Sequence, residues 1–175
     1  MASVKTERAL QALIVVCLGL LAWVVFDSFR EKVVVAGDSA PSFAIRTDDG
    51  RTISPTNFGG KLLVLHFWAT WCPPCVTEFP SLNAFQKQFA GDGVVVLGVS
   101  VDQNAKAYRD FLKRMHTSFS TARDPDARIS SDYGTFQYPE TYIINRDGKV
   151  VEKIISNTDW SDPERINVIR ALLAS

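Results

Sequence analysis

Apolar positions fall into one unbroken run near the amino terminus and, after residue 40, into short blocks separated by polar turns. Residues 9–26 read ALQALIVVCLGLLAWVVF, with Gln11 the one strongly polar position. At 1.5 Å per residue this run makes a helix about 27 Å long, close to the roughly 30 Å of a bilayer's hydrocarbon core. Residues 43–47 and 51–53 flank Asp48-Asp49-Gly50 and predict a small hairpin. Leu62–Trp68 (LLVLHFW) is apolar almost throughout, the pattern of a strand covered on both faces. Pro73–Phe89 returns Phe79, Leu82, Phe85 and Phe89 at three- and four-residue steps, which predicts a helix with one buried face. Val94–Ser100 predicts a second buried strand, and 104–115 a helix with Tyr108, Phe111, Leu112 and Met115 on one side. A short strand is expected at 119–122 and a short helix at 127–133. Residues 141–145 and Val150–Ile155 form a second hairpin across Arg146-Asp147-Gly148. The last helix opens at Ser161-Asp162-Pro163-Glu164, where Ser161 and Glu164 have capping-box spacing, and it turns Ile166, Ile169, Leu172 and Leu173 inward. Strands alternating with helices predict an α/β fold with a parallel sheet, to which the hairpins add antiparallel edges.

This pattern divides the 175 residues into a short tail (1–8), a transmembrane anchor (9–28), a linker (29–40) and one domain (41–175). Trp23 and Phe26 near one end suit a membrane interface, and Lys5, Arg8, Arg30 and Lys32 flank the run. A cleaved signal peptide is the competing reading, but its apolar region is usually 7–15 residues and its small-residue cleavage site follows closely. Here small residues come only at Ala36-Gly37, so an uncleaved single span fits better. The flanking charges are nearly balanced and leave orientation open; a short tail inside with the domain exported is the usual arrangement. Cys17 lies mid-run behind Val16, unlike a lipid-attachment cysteine.

Composition narrows the function. Nineteen Lys and Arg balance nineteen Asp and Glu, so no cationic excess is available to neutralise a nucleic-acid backbone. Hydrophobic residues at 46% and charged ones at 22% describe a globular chain rather than a disordered one. Three cysteines are too few for a disulfide-stapled small fold, and two of them, Cys72 and Cys75, form the chain's one Cys-x-x-Cys.

Cys72 falls between a buried strand and a helix. The unpaired N–H groups of a helix start favour a thiolate, so its pKa is expected below the free value near 8.5, between about 3.5 and 7.5. Cys75, one turn on, is placed to close a disulfide and to be the more buried partner. Cys72 is therefore the expected nucleophile toward an incoming disulfide and Cys75 the resolving thiol. Pro74 in the first turn costs little, because its missing N–H would have been unpaired. Structural zinc needs two further ligands, and the remaining candidates, Cys17, His66 and His116, are scattered; no metal or other cofactor is expected. Delivery of Cu(I) by the dithiol is an alternative of a different kind. Glu78, three positions after Cys75, lies on the same helical side and reads either as a proton partner for the Cys75 thiol or as a first-turn glutamate complementing the helix dipole. His66, mid-strand, reads as a core histidine. Gln137-Tyr138-Pro139-Glu140-Thr141 marks a strand boundary, where a trans proline is the commoner outcome.

FWATWCPPC followed by TEFPSL, with GDSAPSF before it and YPETYIINRDGKVV after it, resembles the membrane-anchored thioredoxin-like proteins of the TlpA, ResA and CcmG type. The resemblance covers nearly everything after residue 36 and implies a thioredoxin fold, a central mixed sheet flanked by helices, with an amino-terminal hairpin and an inserted element. It also implies a thiol-disulfide oxidoreductase in the cytoplasmic membrane with its domain on the periplasmic or extracytoplasmic side. Such a protein reduces disulfides of partner proteins, including apocytochrome c and copper-site proteins, with electrons from a transmembrane thiol reductase. By the same resemblance, Cys72 and Cys75 are the redox disulfide, Glu78 the active-site glutamate, and Pro139 a cis-proline facing the dithiol. Trp71, Pro73, Pro74 and Tyr138 then flank a groove where a substrate strand can pair. Three positions depart from the pattern: His66 stands where thioredoxin has a buried aspartate, Tyr138 is bulkier than the expected valine or alanine, and Gln137 replaces a common glycine. A net oxidase or isomerase is the rival within the same chemistry; a peroxidase reading lacks a separate peroxidatic cysteine.

Overall fold

The computed structural model describes residues 2–28 and 33–174, which fall into two units, one up to residue 32 and one from residue 33 onward. The first unit is a single helix, α1, Ala2–Ser28. It starts earlier than expected and takes in residues 2–8 of the stretch read as a tail. Its stretch Thr6–Val25 has a mean hydropathy of 2.2 and none of it is buried, so by length and composition it can cross a membrane. Arg30 and Lys32 lie outside the described residues.

The second unit is built on a five-stranded sheet: β3 (Leu62–Trp68), β4 (Val94–Ser100), β5 (Ser120–Arg123), β6 (Glu140–Asn145) and β7 (Val150–Ile155), in the order β5-β4-β3-β6-β7. β3 runs parallel to β4 and β4 to β5, while β6 is antiparallel to both β3 and β7. Every residue of β3 is buried, as its unbroken apolar pattern requires of a central strand. Side-chain alternation splits the core in two. Leu62, Val64 and Trp68 join the residues of α2 (Pro73–Phe89), whereas Leu63, Leu65 and Phe67 pack with Tyr133 and Tyr142 on the other side. Gly98 of β4 is held small by close approach: a Cβ there would lie 2.8 Å from Phe119 and 3.0 Å from the Trp68 indole nitrogen.

The expected inserted element is α3 (Ala105–Met115) with β5, which adds a parallel edge strand beside β4. Asn104 caps α3, its side-chain oxygen accepting from the N–H groups of Lys106 and Ala107 at 3.0 and 3.1 Å. The amino-terminal hairpin is shorter than expected, β1 (Ile45–Arg46) against β2 (Thr52–Ile53). Its turn is pinned instead by Asp48, which accepts from Tyr108 Oη at 2.5 Å and Thr121 Oγ1 at 2.9 Å. The short helix α4 is Arg128–Asp132, and α5 is Pro163–Ala174.

Two expectations need correction. The residues from 34 to 40 are not a free linker: Val34 is buried, the N–H groups of Gly37 and Ala40 donate to Val150 and Gly148, and Ser39 bridges to Lys149. Backbone pairing along the start of β7 outweighs the small-residue composition that suggested a tether. The domain thus begins at Val33, and the rest of the linker (29–32) lies outside the described residues. At α5 the cap is Asp162, whose carboxylate accepts from the Glu164 N–H at 2.8 Å, while the Ser161 hydroxyl turns back to Asp159.

Candidate active site

The end of β3 delivers Trp68 and Ala69 into a tight loop, Thr70-Trp71-Cys72, that opens α2. Asp102 fixes this loop: buried just after β4, its carboxylate accepts from the Thr70 N–H at 2.9 Å, from Thr70 Oγ1 at 2.7 Å and from Ser100 Oγ at 2.6 Å. Cys72 is the N-cap of α2, in extended conformation, and Pro73 and Pro74 occupy the first two helical positions. The Cys72 sulfur accepts from the Cys75 N–H at 3.3 Å and is bonded to the Cys75 sulfur at 2.06 Å. A helix that places a sulfur on one of its unpaired N–H groups stabilises negative charge there when the bond is reduced. The expectation of an exposed nucleophile is corrected for the oxidised form, in which Cys72 is buried and only slightly less so than Cys75. Cys72 is 4% exposed and Cys75 0%, while Trp71 beside them is 64% exposed.

Pro139 follows a cis peptide bond from Tyr138, as the resemblance implied and the bare pattern did not. Pro139 is buried and Tyr138 half-buried; the Tyr138 ring meets Trp71 edge-on at 6.0 Å, and its hydroxyl lies 3.1 Å from Ser130 Oγ. The extra bulk of Tyr138 is thereby absorbed between α4 and the Trp71 indole. Gln137 is exposed.

Glu78 is not a first-turn glutamate. It lies beyond the first turn of α2, where dipole effects have faded, and is 3% exposed. The Trp160 indole N–H donates to Glu78 Oε1, and Oε2 has no hydrogen-bond partner. Burial pushes the Glu78 carboxyl up to about 7, against the opposing pull of the Trp160 and Thr158 hydrogen bonds. An acid one turn from Cys75 that titrates near neutrality is suited to exchanging a proton with that thiol. Trp160 was not singled out from the sequence: it lies 82 residues away, and no periodicity links it to α2.

His66 sits on the α2 side of β3, level with Gly98 and Thr141. Its Nδ1 is 2.8 Å from Thr141 Oγ1, and Nε2 has no hydrogen-bond partner. Burial pushes its pKa down to about 3, so the imidazole is neutral where a carboxylate would stand in thioredoxin. The folded value lies below the ordinary 6.5, so acidification favours the unfolded chain as pH falls from 6.5 toward 3. Glu78 acts in the opposite sense between 4.5 and 7, where the folded chain holds the extra proton. Below 4.5 His66 acts without it. Between pH 4.5 and 3 the native protein should lose about 2 kcal/mol more stability than His66→Gln, measured by urea unfolding. Equal losses would mean that the histidine is already charged in the fold.

Another side chain at this end of the sheet carried no signal in the sequence. Glu140, next to Pro139, is fully buried, paired with Lys153 at 2.9 Å and bonded by the hydroxyls of Tyr142 and Thr135. Among the described residues no group of three or more His, Cys, Asp or Glu is placed to hold a metal ion.

Comparison with known proteins agrees with this geometry. A family model described as AhpC/TSA matches residues 36–153. The thiol-disulfide oxidoreductase ResA of Bacillus cereus is 32% identical over 146 residues, covering 82% of this chain and 83% of the relative. ResA of Bacillus subtilis is 32% identical over 148 residues, covering 83% and 81%. Among solved structures, a thiol:disulfide interchange protein DsbE from Chlorobium tepidum superimposes with a TM-score of 0.72 at 28% identity, covering 81% of this chain and 99% of that one. StoA from Bacillus subtilis does so with a TM-score of 0.64 at 25% identity, covering 76% and 96%. The chain belongs to the AhpC/TSA family, and its mixed sheet, its helix-capping disulfide and its named relatives make it a thioredoxin-like thiol-disulfide oxidoreductase.

Proposed function

We propose that the protein is a reductant of protein disulfides, held to the membrane by α1 with its domain on the extracytoplasmic side. The observation that carries this reading is the pairing of a helix-capping sulfur, Cys72, with a buried carboxyl, Glu78, that titrates near neutrality one turn beyond Cys75. In the reduced protein the Cys72 thiolate attacks a partner disulfide RS–SR′, forming a Cys72–SR bond and releasing R′S⁻. Cys75 passes its proton to the Glu78 carboxylate, attacks the Cys72 sulfur and releases RS⁻, which takes up a proton. Two electrons have moved to the partner and the Cys72–Cys75 bond is closed. A transmembrane thiol reductase then restores the dithiol by the reverse sequence. Trp71, Pro73, Pro74, Tyr138 and Pro139 border the path of the incoming chain. Its targets are cysteines that must be reduced before a cofactor is attached, as in cytochrome c maturation or copper-site assembly; the family resemblance supports this choice.

Trapping tests the reading. In Cys75→Ser the mixed disulfide cannot be resolved, so cells making the full chain should accumulate adducts at Cys72 with exported cysteine proteins. Adducts confined to cytoplasmic proteins would contradict the orientation. Stoichiometric Cu(I) binding by the native protein without any disulfide turnover would favour the delivery role instead.

A further inference from the structure

Glu78 is held from outside its own helix. Trp160 ends the loop that follows β7, is fully buried, and belongs to the same core cluster as Cys75 and Phe79. It is fastened to α2 by its indole N–H on Glu78 Oε1, by its backbone N–H on Ser81 Oγ at 3.3 Å, and by its ring, 4.9 Å from Phe85. Ser81 Oγ in turn donates to the Glu78 carbonyl at 2.8 Å, and the Thr158 backbone is a second partner of the carboxyl. At the other end of the loop the Ser156 N–H donates to the Pro139 carbonyl at 3.0 Å. The loop 156–160 is thus tied down at both ends, and its last residue grips the proton acceptor.

The consequence lies in the two carboxyl oxygens. An indole N–H only donates, so the oxygen it holds is better left unprotonated. With Oε1 claimed, Oε2, buried and without a hydrogen-bond partner among the described residues, is where a proton can go. A donor fixed on Oε1 also favours the charged form against burial, which by itself would keep the acid protonated. The other titratable groups on the surrounding elements are Cys72, Cys75, His66, Asp159, Asp162 and the Glu152–Arg165 pair. His66 is bonded to Thr141, Asp159 to Ser161, Asp162 to the Glu164 N–H, and Glu152 to Arg165. We propose that Trp160 is a positioning residue for the exchange reaction, holding the Glu78 carboxylate with Oε1 occupied and Oε2 open to the proton that leaves Cys75 Sγ. This rests on the reading of Glu78 given above and adds the residue that acts through it.

The test follows the resolving step by stopped flow across pH, with the full chain in detergent micelles. Trp160→Phe keeps a buried ring and loses the N–H. Its midpoint should move upward, and at pH near 7.5 the step should slow by roughly tenfold, the scale of one hydrogen bond to a charged group. The gap should close at higher pH. In a Glu78→Gln background the same change should alter the rate by less than about twofold, because no proton is then taken up at residue 78. Phe85→Leu removes the ring packed on the indole; it should cost stability and leave the midpoint in place. Benzothienylalanine at position 160, which keeps the outline of the indole with sulfur in place of N–H, should reproduce the upward shift even where the smaller phenyl ring loosens the core. A native midpoint in the benzothienylalanine protein, or an equal slowing by Trp160→Phe in the Glu78→Gln background, would overturn this proposal alone. A native profile in Glu78→Gln itself would overturn the reading of Glu78 and this proposal with it.

Discussion

Cys72→Ser should abolish reduction of insulin or of a model disulfide, lowering the rate constant by roughly 10³-fold or more, while the far-ultraviolet circular dichroism stays native. The size of the effect follows from position. Cys72 caps α2, and its sulfur already accepts an N–H that no intrahelical carbonyl can claim. Cys75 cannot substitute for it, because Cys75 is fully buried one turn inside the helix and meets partners only through Cys72. Serine keeps the cap hydrogen bond and removes only the nucleophile, so the fold should survive the change. Turnover retained in Cys72→Ser would place the chemistry elsewhere.

Glu78→Gln should be the next largest loss. Burial holds the Glu78 carboxyl at about 7, so it becomes able to accept the Cys75 proton as pH rises through that value. The native resolving step should therefore quicken across neutral pH and then level off. Glutamine cannot take the proton, and the rise should move toward the range of an ordinary thiol, above about 8.5. At pH near 7.5 the variant should be slower by about 10²-fold, with the gap closing at higher pH as hydroxide takes over. The measured midpoints belong to Glu78 and the two sulfurs together, since the groups are coupled. Stopped-flow release of product from the mixed disulfide reads this step directly. An unchanged profile would reduce Glu78 to an acceptor for the Trp160 indole.

The parts of this molecule that repeat along the chain were legible in the sequence. β3 showed itself as six apolar or aromatic positions interrupted only by His66, and α2 by its phenylalanine spacing. The helix-capping role of Cys72 followed from those two alone. What stayed hidden depends on residues far apart in sequence. Nothing local distinguishes a glutamate that receives the Trp160 indole from one that faces water, yet that contact and its burial set the Glu78 titration. Asp102 is one aspartate among many until the fold brings Thr70 and Ser100 around it. The stretch after residue 33 misled because small residues suit both a tether and a strand-edge cover, and only β7 decides between them.

The central claim is that Cys72 is the sulfur held anionic by the first turn of α2. Alkylation of the reduced full chain with iodoacetamide across pH, read by peptide mass spectrometry, tests it most directly. Modification should fall on Cys72 before Cys75, with a midpoint below about 8.5. A Cys72 thiol inert below pH 8, or a Cys75 that reacts first, would contradict the account.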